Sequence, residues 1–231
     1  MYTLNDATWP QVRRGTVLLV PVGSLEQHGP HLPFDTDTTI ATAVTHGVAE
    51  RLAEQGVESW TAPPIAIGSS GEHQSFPGTV SIGSDALHLV VVELVRSART
   101  WAERVVLVNG HGGNAAALTS AVNQLTFERQ TACWLPCRTE EFDLHAGRTE
   151  TSLMLHLRPE AVRMDLAEPG DTRPLAEILP AMRAGGVAAV SANGVLGDPT
   201  GATAAQGAEA LAMMIEQTTM DVMAPGGVAV G

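Results

Sequence analysis

The chain has 231 residues, of which 44% are hydrophobic and 16% charged, so it can bury a full core as one domain over residues 1–231. Lys and Arg number 13 against 25 Asp and Glu, which leaves a formal net charge of −12. This acidic balance argues against a nucleic-acid partner and against binding to anionic membrane surfaces.

The first residues lack the basic and apolar segments of a secretory signal, so we expect a cytoplasmic protein. The longest apolar stretch, residues 86–95, is too short to cross a bilayer and contains both His88 and Glu93. The two cysteines, Cys133 and Cys137, are too few for a disulfide framework, and we interpret them as half-buried thiols.

Apolar periodicity predicts the first elements of the chain. Residues 16–22 form an almost continuous apolar run, which is typical of a strand buried on both faces of a parallel sheet. After a loop to residue 36, apolar residues recur every four positions from Ile40 to Leu52, which predicts a helix that ends near Gly56. Residues 64–67 are a weaker strand candidate, and a polar, glycine-rich loop follows them.

The rest of the chain alternates helical and strand patterns, which is typical of an α/β fold around a buried parallel sheet. The segment 185–201 is otherwise irregular, and such a segment inside a domain is more often a functional loop than a linker. The predicted elements are a helix after Ser84, a strand at 105–109, a tight turn at 110–114 leading into a third helix, a strand at 132–136, a loop and helix at 145–157, a short strand at 187–190 and a closing helix at 202–223.

Five of the eight histidines fall in predicted loops rather than in helices. Loops that follow parallel strands converge at the carboxyl edge of the sheet, so we expect these five side chains to approach one another. The other three, His46, His88 and His156, lie inside helical patterns and are interpreted as core or surface residues. The five loop histidines are His28, His31, His73, His111 and His145.

Three carboxylates lie close to these histidines in the sequence. Glu26 is separated from His28 by one residue, so in an extended segment both side chains point to the same side. Asp37 begins the first helix, where a first-turn charge that stabilises the helix is as good an explanation as a functional role. Glu150 follows His145 at another helix start, and it is either an ordinary first-turn glutamate or a residue directed back toward the loops.

His111 lies between two glycines just after the predicted strand 105–109. It is interpreted either as a ligand or as a hydrogen-bonded turn residue. The segment Gly110-x-Gly112-x-x-Ala115 also matches a dinucleotide fingerprint, which would indicate an oxidoreductase. That fingerprint expects an acid about 20 residues later to bind a ribose hydroxyl. Residues 133–137 contain none, so the dinucleotide interpretation is the weaker one.

Taken together, Glu26, His28, Asp37, His111 and Glu150 bring carboxylates and imidazoles to the ends of strands. Carboxylates gathered in one pocket cannot all stay ionised unaided, so we expect one or two divalent cations among them. Oxygen and imidazole ligands without thiolate suit Zn, Mn or Fe. Two such ions about 3.5–4 Å apart activate water near neutral pH, which is chemistry suited to amide hydrolysis.

Four segments carry a family resemblance: GSLEQHGPHLP at 23–33 with Asp37, GEHQSFPGT at 71–79, VNGHGGN at 108–114 and HAGRTETS at 145–152. In this order they resemble the creatininase family of metal-dependent amidohydrolases. The resemblance implies a three-layer α/β/α sandwich with a mostly parallel central sheet, two divalent metal ions and a homo-oligomer. It also implies that Glu26 and His111 serve one ion, His28 serves the other, and Asp37 bridges both.

One position departs from the family pattern. Creatininase itself has a glutamate ligand two residues after the histidine of the third segment, where this chain has Gly113. We expect Glu150 to supply the missing ligand, and creatinine becomes a less favoured substrate. His145 matches a family histidine close to the substrate, so we expect it to transfer protons. Three loop residues are expected either to contact the substrate or to brace the site: His31, Glu72 and His73.

The C-terminal segments 185–191, 194–200 and 202–205 resemble those of a family member that trims a modified ribosomal peptide near its C-terminus. That resemblance implies release of a small Val-Tyr-derived core by an enzyme that uses Fe²⁺ and Zn²⁺, with Mn²⁺ as a further possibility. One alternative is another amidohydrolase of this fold, which opens a cyclic amide or removes a formyl group from a pyrimidine. The other is a metal-containing peptide-binding protein without catalysis.

Overall fold

Five strands form one sheet in the computed structural model, which describes residues 2–138 and 143–224. Their order is β1-β3-β2-β4-β5, and every pairing in this sheet is parallel. The strands are β1 (Tyr2–Thr3), β2 (Val17–Val22), β3 (Ser59–Thr61), β4 (Arg104–Asn109) and β5 (Ala132–Pro136). The helices are α1 (Thr36–Glu54), α2 (Gly83–Ala98), α3 (Ala115–Phe127), α4 (Arg148–Leu157), α5 (Leu175–Gly185) and α6 (Ala204–Met223).

Helices cover both faces of the sheet, because alternate side chains of each strand point to opposite faces. On one face Leu19 and Val106 pack with the apolar residues of α1, α4 and α6. On the other face Leu18 and Val105 pack with those of α2 and α3. The expected three-layer α/β/α sandwich is therefore confirmed. In the described parts of the chain, no helix has the length and apolar character that crossing a membrane requires.

The long elements agree with the predicted ones, and two short predicted strands are wrong. The strand in this region is Ser59–Thr61 rather than residues 64–67. Pro63 and Pro64 end the strand pairing, because proline has no amide hydrogen to donate. Only an isolated bridge joins Ile65 to Val22. Residues 187–189 form a 3-10 turn rather than a strand. Two further elements, β1 and α5, were not predicted from the sequence.

Helices α4 and α6 come into close backbone contact at Gly207. A Cβ atom there would overlap the carbonyl oxygen of Ser152 and would lie 2.9 Å from the amide nitrogen of Leu153. Glycine is therefore required by the packing of the two helices rather than by its own backbone conformation.

Gly207→Ala is therefore expected to lower the free energy of unfolding by about 1–3 kcal/mol, the usual cost of overpacking. Helix propensity alone would stabilise the variant, because alanine is more favourable than glycine in a helix by about 1 kcal/mol. A destabilised variant would therefore show that the steric overlap outweighs the gain in propensity. Urea denaturation measures the change, and Ala212→Gly at an exposed position of α6 measures propensity alone. A Gly207→Ala protein that is as stable as the native one would contradict the close approach.

Loops from the carboxyl ends of β2, β3, β4 and β5 meet above one edge of the sheet. The irregular segment after α5 crosses over them, with Gly194 accepting a hydrogen bond from the Gln27 side chain and Leu196 pairing with His145. A small apolar cluster of Ile178, Val187 and Leu196 fixes α5 beside this edge. The fold therefore brings four strand ends and one helix together around a single site.

Candidate metal centre

The five loop histidines are all buried, and the structure brings four of them, His28, His73, His111 and His145, together at the carboxyl edge of the sheet. The ring of His145 lies between two others, with ring centroids 4.3 Å from His28 and 4.4 Å from His73. The ring of His73 in turn lies 6.2 Å from that of His111. The helical histidines His46, His88 and His156 are not part of this cluster.

Asp37, in the first turn of α1, stands between two imidazoles. Its Oδ1 atom is 3.1 Å from Nε2 of His28, and its Oδ2 atom is 3.3 Å from Nδ1 of His111. The hydroxyl of Ser24 donates a hydrogen bond to Oδ2 at 2.7 Å and holds the carboxylate in this orientation. A carboxylate that faces a different histidine with each oxygen has the geometry of a bridging ligand.

Backbone carbonyls orient both of these histidines. Nδ1 of His28 donates to the carbonyl of Glu26 at 3.1 Å, and Nε2 of His111 donates to the carbonyl of Ser69 at 3.1 Å. The remaining nitrogen of each ring then points at Asp37. Such hydrogen bonds from the far side of the ring are typical of histidines that bind metal, because they fix the tautomer and the ring orientation.

Glu26 is completely buried, yet neither of its carboxylate oxygens accepts a hydrogen bond from the residues that the structure describes. Its Oε2 atom lies 3.1 Å from Nε2 of His111, and its Oε1 atom lies 3.4 Å from Nε2 of His73. Burying an ionised carboxylate without a hydrogen-bond donor is costly unless a cation compensates it. The orphaned oxygens of Glu26 therefore fit a bound divalent ion.

Glu150, in the first turn of α4, approaches from the opposite side. Its Oε2 atom lies 3.8 Å from Nε2 of His28 and accepts a hydrogen bond from the amide of Ala146 at 2.6 Å. Burial raises the pKa of Glu150 to about 7, although the neighbouring His28 opposes the shift. This carboxyl group is therefore about half ionised near neutral pH, and additional positive charge nearby would favour its ionised form.

The candidate ligand atoms form groups in which all atoms lie within 4.8 Å of one another. One group is Glu26, Asp37 and His111, and a second is His28, Asp37 and Glu150, so Asp37 belongs to both. A third group of Glu26, His28 and His145 overlaps with them. We call the five residues of the first two groups the metal centre. It could hold two ions that share one carboxylate.

Gln27, which was not among the predicted site residues, makes hydrogen bonds to His73 and His145. Its side-chain nitrogen donates to Nδ1 of His73 at 2.8 Å and to the carbonyl of Gly194 at 3.0 Å. Its backbone carbonyl accepts a hydrogen bond from Nε2 of His145 at 2.8 Å. The alternation of an extended segment, which sends Gln27 to the side opposite Glu26 and His28, was the available signal.

The three candidate substrate residues occupy different places. His31 does not line the cavity beside the metal centre; its Nε2 atom bonds Thr151 on α4 at 2.9 Å. Burial lowers the pKa of His31 to about 4, and burial lowers the pKa of His73 likewise to about 4, so both rings are neutral. Glu72 and His73 do line the cavity, and Oε1 of Glu72 lies 3.6 Å from Nε2 of His111.

The described residues enclose a cavity of about 700 Å³ that opens onto the metal centre. Its polar floor includes Asp37, His111, His145 and Glu150, whereas much of its wall is apolar. A cavity of this size and composition is typical of a small-molecule or short-peptide site. The apolar lining residues include Trp134, Leu144, Leu175, Leu179, Met182, Leu196 and Met214.

A family model described as "Creatininase: Creatinine amidohydrolase" matches residues 5–222. A curated relative from Mycolicibacterium smegmatis, named mycofactocin precursor peptide peptidase, is 56% identical over 200 residues, which cover 86% of this chain and 81% of the relative.

Solved creatininase structures resemble this fold. A mutant creatininase of the Zn-Zn type has a TM-score of 0.80 at 28% identity, and a structure titled "Creatininase Mn" has a TM-score of 0.76 at 28% identity. Each comparison covers 95% of this chain and 96% of the other. The similarity therefore extends over nearly the whole length of both chains.

Proposed function

The chain belongs to the creatininase family, and from this premise we propose that it cleaves the mycofactocin precursor peptide, a modified ribosomal peptide, near its C-terminus. The product would be the Val-Tyr-derived core. The chain is a hydrolase of a metal-dependent family, and the peptidase name of its 56% identical relative supports this choice of substrate. We also propose that it acts in the cytoplasm as a homo-oligomer, as the family resemblance implies.

The single observation that carries the proposal is the buried carboxylate of Glu26, whose oxygens accept no hydrogen bond from the described residues, close to histidines that also face the carboxylate of Asp37. We propose that Glu26, Asp37 and His111 hold one divalent ion, and that His28, Asp37 and Glu150 hold a second. Fe²⁺ and Zn²⁺ are the proposed pair, with Mn²⁺ as a substitute, because oxygen and imidazole ligands suit all three. When bound, such ions polarise a carbonyl oxygen and lower the pKa of a water molecule.

His145 is the proposed proton-transfer residue. Its Nε2 atom donates to the carbonyl of Gln27, which leaves Nδ1 unprotonated and 3.8 Å from Oε1 of Glu26 at the floor of the cavity. Burial lowers the pKa of His145 well below its usual range, and the neighbouring His28 and His73 add to this, so the ring is neutral. A neutral imidazole in this place can take a proton and pass it to the leaving amine.

The cavity suits the proposed substrate in polarity as well as in size. Leu175, Leu179 and Met182 of α5 contribute to the apolar lining of the cavity, where the side chains of valine and tyrosine would lose contact with water. Charged substrates would gain little from this lining. We therefore propose that α5 contacts the apolar end of the peptide.

Removal of metal is expected to abolish cleavage of the precursor peptide, and restoration of two divalent ions per chain is expected to recover it. Protein stripped with a chelator should be compared with protein reloaded with Fe²⁺, Zn²⁺ or both, and the products identified by mass spectrometry. Creatinine, assayed in parallel, controls for the substrate. Full activity of metal-free protein would overturn the mechanism, and binding without cleavage in every metal state would favour a peptide-binding protein instead.

A further inference from the structure

The side chain of Gln27 is a buried amide whose orientation is determined by its neighbours. Its Oε1 atom accepts a hydrogen bond from the backbone amide of Gly29 at 2.8 Å, and a backbone amide can only donate. Its Nε2 atom donates to the carbonyl of Gly194 at 3.0 Å, and a carbonyl can only accept. The nitrogen and oxygen of this side chain therefore cannot be exchanged, and one Nε2 hydrogen remains for a second partner.

That second hydrogen determines where His73 carries its own hydrogen. Nε2 of Gln27 lies 2.8 Å from Nδ1 of His73, so Nδ1 is the acceptor and carries no hydrogen. A ring with one bare nitrogen is neutral, and its single hydrogen is then on Nε2. Because Nε2 of His73 lies 3.4 Å from Oε1 of Glu26, the ring turns an N–H group toward this carboxylate.

The backbone carbonyl of Gln27 has the opposite effect on His145. It accepts a hydrogen bond from Nε2 of His145 at 2.8 Å, so the bare nitrogen of this ring is Nδ1, which lies 3.8 Å from Oε1 of Glu26. The two Nε2 atoms of Gln27 and His145 are also 3.1 Å apart, but both are donors whose hydrogens are used elsewhere. The same carboxylate oxygen therefore faces a donor on His73 and an acceptor on His145.

We propose that Gln27 is a positioning residue for peptide cleavage, which holds His73 as a hydrogen-bond donor and His145 as a proton acceptor beside the metal centre. The assignment rests on the proposed metal-dependent function. Both rings line the cavity and Gln27 does not, so Gln27 acts only through them. A ring that exchanged its hydrogen would present the wrong group to Glu26 and to the substrate.

The acceptor that orients Gln27 comes from the irregular segment 185–201. Gly194 has a φ of +81°, in the left-handed region, which favours glycine. A Cβ atom at this position would also overlap Oε1 of Gln27 and lie 2.5 Å from its Cδ atom. The segment therefore helps to set the orientation of the Gln27 amide and, through it, the position of the hydrogen on His73.

The test compares Gln27→Glu and Gln27→Met with the native protein, each reloaded with Fe²⁺ and Zn²⁺ and supplied with the precursor peptide. Glutamate keeps the shape of the side chain but has no hydrogen to donate, and methionine keeps its length without adding a charge. We expect each variant to keep its metal and its KM and to lose about 10- to 100-fold in kcat. Gln74→Glu, which adds the same charge at an exposed position next to His73, is the matched control and should retain the native kcat.

The spectrum of the histidine rings separates this role from a structural one. In Zn²⁺-loaded protein labelled with ¹⁵N at Nδ1 of histidine, the NMR signal that His73→Asn removes is expected in the range of an unprotonated nitrogen. Gln27→Glu should move this signal to the protonated range, because a carboxylate can only accept a hydrogen bond. Gln74→Glu should leave the signal in place.

The assignment would be overturned by a protonated Nδ1 of His73 in the native protein or by native kcat in both Gln27 variants. It would equally fail if these variants lost metal in proportion to activity, which indicates a structural role, or if only KM rose, which indicates a substrate contact. Failure of the native protein to cleave the peptide in every metal state would instead overturn the proposed function, while the ring spectrum would still report the hydrogen bond from Gln27 to His73.

Discussion

Asp37→Asn is expected to reduce peptide cleavage by about 10²- to 10⁴-fold and to leave fewer than two metal ions per chain. Removing a residue that only supports a metal ligand typically lowers metal affinity or activity about 10- to 100-fold. Asp37 faces both proposed ions, so we expect its substitution to weaken both sites and the two effects to multiply. Its oxygens lie 3.1 Å from His28 and 3.3 Å from His111, and an amide nitrogen in either place is a poor ligand.

Metal content per chain and the rate of peptide cleavage, measured on the same preparation, check this prediction. Asp35→Asn is the matched control, because Asp35 precedes the same helix but pairs with Arg158 at 2.7 Å, outside the metal centre. The control should retain its metal and its activity. Two tightly bound ions and native turnover in Asp37→Asn would rule out a bridging role.

The metal-free protein is expected to lose stability as the pH rises from 7 to 9, and the metal-loaded protein is not. Burial alone would lower the pKa of His28, but the carboxylates of Asp37, Glu150 and Glu26 raise it to about 10. Burial likewise opposes a rise at His111, where Glu26 and Asp37 nevertheless raise the pKa well above its usual range. In the metal-stripped protein, protons on these two rings therefore compensate the negative charge of the surrounding carboxylates.

The sign of the effect follows from proton binding. A histidine with a raised pKa contributes stability that is complete below the unfolded value near 6.5 and is lost as the pH rises toward the folded value. Each proton that only the folded state binds is worth roughly 3 kcal/mol over two pH units. The chain contains no lysine, and Cys137, whose pKa burial raises to about 12, adds a loss of the same sign only above pH 9.

Thermal unfolding of stripped and reloaded protein between pH 7 and 9 measures this difference. Bound ions displace the protons from His28 and His111, so the melting temperature of the loaded form should vary little in this range. His28→Gln should reduce the dependence of the stripped form, because one of the two protons is then missing. A melting temperature of the stripped native protein that stays constant or rises with pH would contradict the prediction.

Elements whose apolar residues face the core could be predicted from the sequence, because burial imposes a local period. Helix α1 follows from the spacing of Ile40 to Leu52, and β4 follows from its apolar run, since each packs on the sheet. Helix α5 was missed because Pro180 lies inside it, and a proline inside an apolar pattern argues against a helix. The spacing of Leu175, Ile178 and Met182 nevertheless follows a helical period.

The candidate site was predictable where its residues follow strands or, as for Asp37 and Glu150, lie in the first turn of a helix. Glu26, His28 and His111 directly follow β2 and β4, so the convergence of loops at the sheet edge places them near one another. The approach of Glu72 to Gly113 joins residues far apart in the sequence, and no local pattern records it. Gln27 was missed for a related reason, since its partners come from three separate loops.

Helix α5 contributes three apolar side chains to the cavity and none of the candidate ligands. Substitutions along this helix can therefore change which substrates bind in the cavity without changing the residues proposed to hold the metal ions. Divergence between lineages that act on different substrates is expected to accumulate on α5, and the loops at the sheet edge are expected to change least.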